Sequence, residues 1–334
     1  MKTPQKIISL LAGSALAAAT FLNAATTDPV GYITVSTAGD GGTSIVTASG
    51  MVKPVEASGI GVVSAGTTLT STDSNWAINA FAGSHYVQID GSGEWAAISS
   101  NTADTLTLDS IITNGADLNF TIRALSTLGN LFGESNSSGF RGGASFGQGD
   151  IIGPWSAATN SLAGFYYYDT DGDGEGTGEW RDITNNFAGN TIIYPDESLL
   201  VISPVGSAVN NIIITGTVQK GAASGEIIGD SQTNILPNPY PVPLALKSSG
   251  YENSIQGSTG FGAPGSDIVG IWDDTSQNWG PSGTAFYYYN TDANEWRDLF
   301  NNAIDETVVI PTGNSAVIIK NSTGNSQWAI SQTY

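Results

Sequence analysis

Three carboxylates, Asp169, Asp171 and Asp173, alternate with Thr170, Gly172 and Gly174. Carboxylates at alternate positions followed by glycine can wrap hard oxygen ligands around one calcium ion. A full helix–loop–helix calcium loop needs a bidentate Glu at its twelfth position, which here is Trp180, with Glu179 one residue short. The competing expectation is a solvated Asp/Gly hairpin turn, since these residues tolerate left-handed backbone. Calcium is the one cofactor the pattern brings forward.

Aromatic residues supply the second candidate chemistry. Tyr166, Tyr168, Trp180, Tyr287, Tyr289 and Trp296 lie in two Tyr-rich and Trp-Arg runs. Flat apolar rings on a hairpin can stack on sugar rings, and they can equally fill a core. Glu179-Trp180-Arg181-Asp182 and Glu295-Trp296-Arg297-Asp298 each offer paired carboxylates, the kit of glycoside hydrolysis. Their occurrence twice argues for structure, because a chain seldom needs one active site in duplicate. His85 is the only His, with no second His for zinc and no evident nucleophile beside it. The expectation is a protein without catalytic activity.

These residues belong to an internal duplication. Asp150-Ile-Ile-Gly-Pro-Trp155 matches Asp267-Ile-Val-Gly-Ile-Trp272, Phe165–Tyr168 matches Phe286–Tyr289, and Asn185-Asn186 matches Asn301-Asn302. Ile192-Ile193-Tyr194-Pro195 then matches Val308-Val309-Ile310-Pro311. Each Tyr run reads as a strand, the Asp/Asn/Gly stretch after it as a turn, and the Trp-Arg run as the returning strand of a hairpin. Alternation puts Tyr287 and Tyr289 on one face and Phe286 and Tyr288 on the other, so the hairpin is aromatic on both sides. The prolines of Pro237-Asn238-Pro239-Tyr240-Pro241-Val242-Pro243 exclude a central strand and imply an edge or polyproline-like crossing.

Short β-branched runs bounded by Gly, Pro, Asn or Asp recur elsewhere, among them Tyr32–Val35, Thr105–Leu108, Asn211–Thr215 and Thr307–Ile310. No helical periodicity follows the N-terminal segment. The fold class is all-β: tandem, duplicated β-sandwich-like modules plus a small N-terminal or inserted β-barrel or sandwich. The expected order is a signal peptide over 1–24, an N-terminal β domain over 25–124, a first module over 125–218 and a second over 219–334. Residues 59–123 form either a separate domain or an insertion into the first module. The C-terminal Trp328–Tyr334 reads as the closing strand of the second module rather than of a membrane barrel.

Composition narrows the function classes. Lys2 and Lys6 precede an uncharged apolar stretch over Ile7–Leu22 and small residues at Ala24 and Ala25, the layout of a secretory signal cleaved near Ala24. No later segment is apolar enough for a transmembrane helix, so a secreted or cell-envelope protein, periplasmic or on the outer surface, is expected. The chain has no Cys, a net charge of −20 and 30 acidic against 10 basic residues. Disulfides and thiol chemistry are absent, and nucleic acid is excluded as a partner by repulsion from its phosphates. Polysaccharide or other surface proteins are the partners such a chain implies.

Several landmarks together resemble an uncharacterised secreted paralogous family of Verrucomicrobia. They are Asp28-Pro29-Val30-Gly31-Tyr32-Ile33-Thr34-Val35, Leu125-Ser126-Thr127-Leu128-Gly129-Asn130-Leu131-Phe132-Gly133, Asn238-Pro239-Tyr240-Pro241 and the paired Trp-Arg hairpins. The resemblance covers essentially the whole chain, departing at 229–236, and implies export and β-architecture without an activity. The expected role is structural or adhesive, with carbohydrate binding by the hairpin aromatics as the alternative and a polysaccharide-active enzyme a distant third.

Overall fold

Short β-branched segments punctuated by Gly and Asn cannot make long helices. The chain, seen in a computed structural model that describes residues 29–169 and 178–331, is built almost wholly of strands. Among the described residues the one α-helix is Leu128–Phe132, started by Thr127, whose hydroxyl accepts from the Asn130 amide while Asn130 answers on the Thr127 amide.

The first module is a two-sheet sandwich. One sheet runs, in spatial order, Thr43–Val46, Leu199–Ile202, Ile151–Ser156, Phe165–Tyr168 and Glu179–Asp182. The other places Asn211–Val218 between Val30–Ser36 and Met51–Val52. Inward-facing Ile33, Val35, Ile212 and Ile214 of one sheet meet Val46, Ile152, Tyr167, Trp180, Leu199 and Val201 of the other, as alternation along half-buried strands requires. Residues 30–52, grouped with the barrel in the sequence, pair instead with 199–218.

The second module repeats the plan. Its main sheet runs Gln232–Pro237, Ser315–Lys320, Ile268–Asp273, Phe286–Asn290 and Glu295–Asp298, and Ala223–Ile227 pairs with Ser326–Ile330 opposite. The C-terminal segment thus closes this module. The proline-rich link after Gln232–Pro237 crosses between the sheets with Asn238 and Tyr240 fully buried. Asn238 Nδ2 donates to Val242 O, and the Tyr240 hydroxyl donates to Ile330 O.

Between Thr43–Val46 and Ser126–Thr127, where the second module has only this link, the first module carries a closed six-stranded barrel. Its strands, in order around the wall, are Val55–Ser64, Thr68–Thr70, Thr105–Leu108, Trp95–Asn101, His85–Ile89 and Gly115–Ala124. Its interior is filled by residues such as Leu69, Val87, Ile98, Leu106, Phe120 and Ile122, so it is a packed core rather than a pore.

The two modules clasp each other reciprocally. Trp155 Nε1 donates to Thr233 O at 2.7 Å, and its counterpart Trp272 Nε1 donates to Thr43 O at 3.1 Å. Thr233 N donates to Asn160 Oδ1, and Thr43 N donates to Gln277 Oε1. Asn160 and Gln277 both hold left-handed backbone, with φ of 47° and 52°. Equivalent residues Ser198 and Ser315 meet each other through their hydroxyls at 2.8 Å. Self-pairing of equivalent residues marks a two-fold arrangement, here within one chain. Each module thereby covers the exposed edge strand of the other, an edge that would otherwise invite pairing with another chain.

Candidate functional site

The hairpin aromatics do not form an exposed platform. Tyr167 stands opposite Trp180 and Tyr289 opposite Trp296. The structural match therefore equates Tyr168 with Asn290, one residue off the sequence match, because the longer loop after Trp272 re-enters the sheet at a different point. Trp180 and Trp296 are 1% and 2% exposed. Their indole N–H groups donate to Gly133 O and Glu252 Oε2. Tyr287 and Tyr289 pack half-buried against the second core. Tyr166 and Tyr168 point to the opposite face, where Tyr166 is covered by Phe146 and Tyr168 by Arg181, whose guanidinium carbon lies 3.7 Å from the ring centre. The six nominated rings thus divide between two faces and two modules.

The Glu-Trp-Arg-Asp signature has a structural account in both copies. Arg181 Nε donates to Glu179 Oε1 at 2.9 Å, and Arg297 Nε donates to Glu295 Oε1 at 2.9 Å. Each Arg also reaches the Oδ1 of an Asn, Asn185 or Asn301, and Tyr166 and Tyr288 donate their hydroxyls to the same oxygens. Both Asn residues hold left-handed backbone, with φ of 69° and 68°, a conformation Asn tolerates. Asp182 and Asp298 accept amides from the turns that follow. These hydrogen bonds hold each carboxyl below the usual range, burial opposing them.

Of the calcium candidates, Asp171 and Asp173 lie outside the described residues. Asp169 is 3% exposed and donates its amide to Gly143 O. Among the described residues no three His, Cys, Asp or Glu side chains stand close enough to hold one metal ion. His85 has the neighbours the sequence did not reveal: Nδ1 lies 2.8 Å from Ser84 Oγ and Nε2 lies 2.9 Å from Glu56 Oε2. Its ring packs edge-on against Phe81. The His85 side chain is 12% exposed, while Ser84 is exposed and Glu56 is 49% exposed, so both ends of this string reach solvent on the barrel wall.

A better site lies where the barrel meets both modules. A cleft of about 490 Å³ is lined by Glu94, Trp95 and Asp109 from the barrel, Tyr194 and Asp196 from the first module, and Ser224, Gly225, Glu226 and Gln327 from the second. Trp95 and Tyr194 stack with ring centres 5.6 Å apart and planes at 27°. Tyr86, Ala97 and Leu125 back this pair from below. Burial raises the Asp196 carboxyl to about 6, against its own backbone amide, with the charge of Glu226 adding to the rise. Burial likewise takes Glu197 to about 7, opposed by the Tyr194 amide and reinforced by Asp196. Tyr194 is raised by burial and by the charges of Asp109, Glu197 and Asp196.

The two-fold arrangement provides an internal reference for this cleft. Ser126 pairs with Ile193 as Leu244 pairs with Ile310, and Val35 pairs with Ile212 as Gly225 pairs with Trp328. Tyr194, Asp196, Gly225 and Glu226 therefore correspond to Pro311, Gly313, Val35 and Ser36. Those residues line or border a second cleft, of about 450 Å³, beside Trp272 and Asp274. There Val35 fills the space over Gly313. The Asp274 carboxylate is engaged by the Ile45 amide and the Asn314 side chain. The first cleft combines the stacked Trp95–Tyr194 pair with the carboxylates of Glu94, Asp109, Asp196 and Glu226, and the barrel supplies Trp95, Glu94 and Asp109. Trp95, Tyr194, Asp196 and Glu226 escaped sequence reasoning, which set Tyr194-Pro195 against Ile310-Pro311; the sheet register shifts that match by one residue, to Pro311-Thr312.

Fold and cleft together define a duplicated two-sheet protein with an inserted barrel and one acidic, aromatic junction cleft. Comparison with protein-family models, with curated proteins and with solved structures finds no match for the chain.

Proposed function

We propose that this is an exported β-module protein of the cell envelope or its surroundings, with a structural or adhesive role and no catalytic activity. The observation that carries the reading is the use of the duplicated signature. In both copies the Trp, Tyr, Arg, Glu and Asn residues hold one another and the core, and the modules cap each other's strand edges. A chain whose most distinctive residues build a self-capped, strongly acidic scaffold suits a role in holding or covering a surface. Among the described residues no helix is long and apolar enough to cross a membrane. Fractionation and antibody labelling of intact cells test the location, and a deletion strain tests the role. Recovery in the cytoplasm, or a deletion strain with unaltered envelope integrity and attachment, contradicts the proposal.

Carbohydrate binding is the second reading. It moves from the hairpins to the junction cleft, and the stacked Trp95–Tyr194 pair facing carboxylates and Gln327 favours it. An apolar ring face beside hydrogen-bonding groups matches the alternating apolar and hydroxyl surfaces of a sugar. Titration of tryptophan fluorescence with oligosaccharides tests it, and an unresponsive Trp signal across neutral, acidic and amino sugars removes it.

A further inference from the structure

We infer that, whatever its role at the envelope, the chain pairs with a second copy through the open edge of Val30–Ser36, joining two three-stranded sheets into one. Val218 N donates to Pro29 O at 2.9 Å, and Thr37 N donates to Asn210 O at 2.8 Å. In an antiparallel ladder every second residue bonds the neighbouring strand, so Gly31, Ile33 and Val35 are spent on Asn211–Val218. The amides and carbonyls of Val30, Tyr32, Thr34 and Ser36 then point the other way. Val30–Ser36 ends its sheet on that side, and among the described residues no backbone group bonds these four there.

Sheets protect such an edge by shortness, charge, proline, a bulge or a cover. Elsewhere in this chain the protection is present. The edges of Glu179–Asp182 and Glu295–Asp298 are closed by their own turns, where Ala188 N donates to Trp180 O and Ile304 N to Trp296 O. Thr43–Val46 and Gln232–Pro237 are held by the opposite module, and the barrel closes on itself. Val30–Ser36 is seven residues long, pairs without a register shift and contains no Pro and no charged residue. The two-fold arrangement supplies a comparison. Because Val35 corresponds to Gly225, the residues Val30, Tyr32, Thr34 and Ser36 correspond to Lys220, Ala222, Ser224 and Glu226. That counterpart edge carries charge at both ends and shares the junction cleft with Trp95 of the barrel. Val30 and Tyr32 are instead 78% and 70% exposed.

The chemistry of the strip selects its occupant. At a net charge of −20, two copies repel wherever their acidic surfaces meet. Val30–Ser36 and Asn211–Val218 contain no Asp, Glu, Lys or Arg, so this face can meet itself without opposing like charges. The strand is also self-complementary. Paired antiparallel about Ile33, it sets Tyr32 opposite Thr34 of the second copy and Val30 opposite Ser36, so every free amide and carbonyl finds a partner. Aromatic and β-branched side chains opposite one another add to such a ladder. A cleft of about 450 Å³ adjoins the strand at Thr34, Ser36 and Trp272 and leaves room beside its second half. Each copy spends its one open edge, so the isologous contact closes at a dimer. One strand pair with its flanking side chains is a small interface, and a dissociation constant on the order of 10 µM is expected.

Sedimentation velocity of the exported full chain, from about 1 to 100 µM, tests the pairing. The weight-average mass should climb from one chain towards two, and added salt should strengthen the dimer by screening the acidic remainder. Thr34→Pro removes an amide that faces away from the ladder, a position where an edge strand accepts proline, and should weaken the dimer about ten-fold or more. Tyr32→Glu sets like charges close together across the seam and should do the same. The exposed, remote Asp292→Asn should leave it unchanged. The chain has no Cys, so a mixture of the Tyr32→Cys and Thr34→Cys proteins should form disulfide-linked dimers under mild oxidation, where Asp292→Cys should not. Should Thr34→Pro fail to fold, Tyr32→Glu, at an exposed side chain, carries the test. One-chain mass across the whole range overturns the inference. So does a dimer indifferent to both substitutions, growth past two chains, or cross-linking no better in the mixture than with Asp292→Cys.

Discussion

Replacing Asp196 by Asn should stabilise the protein, and only at high pH. In the folded chain burial raises this carboxyl from 3.8 to about 6. A carboxyl raised on folding contributes stability that is fully present below its unfolded value near 4 and is lost as pH rises through its folded value near 6. One unit corresponds to about 1.36 kcal/mol, so a rise of roughly 2 units costs about 3 kcal/mol once Asp196 is ionised. Because Asp196 borders an open, wet cleft, about half of that is the better expectation at pH 8. Asn keeps the shape and cannot ionise. The variant should therefore match the parent at pH 4 and exceed it by about 1.5 kcal/mol at pH 8, a rise in melting temperature of about 3–6 °C for a domain of this size. Scanning calorimetry of both proteins at the two pH values decides the matter. Equal stability at pH 8, or the same gain at both pH values, refutes the picture of a desolvated carboxylate kept at a cost to the fold. A gain confined to high pH has the character of a stability–function trade-off.

The parent itself should lose stability between pH 4 and 8, since Glu197 and Asp274 are each raised to about 7, chiefly by burial; a melting temperature that rises over this range contradicts the assignment. Trp180→Ala and Trp296→Ala should each cost about 3–5 kcal/mol in denaturant unfolding, and a cost near zero would mean these rings are not core. Trp272→Phe keeps an aromatic ring, though a smaller one, and removes the N–H that caps Thr43; it should cost at least about 1 kcal/mol and hasten proteolysis at 43–46, and an unaltered cleavage pattern refutes the clasp. Lys320→Met leaves the fully buried Asp267, whose Oδ2 lies 3.6 Å from the Lys320 amine, without its cation. About 3–5 kcal/mol should be lost, and Asp267→Asn in the same chain should return part of it.

Much of the scaffold was legible in the sequence, for a definite reason. The Asn185 and Asn301 turns, the Trp-Arg hairpins and the strand runs are local patterns, each set by backbone preference and alternation over a few residues. The sequence also read the C-terminal segment as the closing strand of the second module, and the pairing of Ser326–Ile330 with Ala223–Ile227 agrees. Three features depended on distant contacts and could not be seen. The faces of the Tyr runs turn on a one-residue difference in how the loop after Trp272 re-enters the sheet. The pairing of 30–52 with 199–218 bridges the whole barrel. The neighbours of His85 include Glu56, which only barrel closure brings close.

The duplication drew attention to what the two copies share, and what they share is architecture. Residues retained in both modules must serve whatever both modules do, and both must bury a sheet face, turn a hairpin and cap a partner's edge. A site used once has to be sought where equivalent positions differ. At the junction, Pro311, Val35 and Gly313 mark what such a cleft needs for folding alone: hydrocarbon and a glycine turn. Tyr194, Gly225 and Asp196 replace them on the other side of the two-fold with a ring, a glycine packed against Trp328 and an acid, and the inserted barrel adds Trp95 and Asp109. The unsatisfied Trp328 indole and the desolvated Asp196 each lower stability. Their occurrence on only one side of the two-fold is what a folding requirement shared by both modules does not explain.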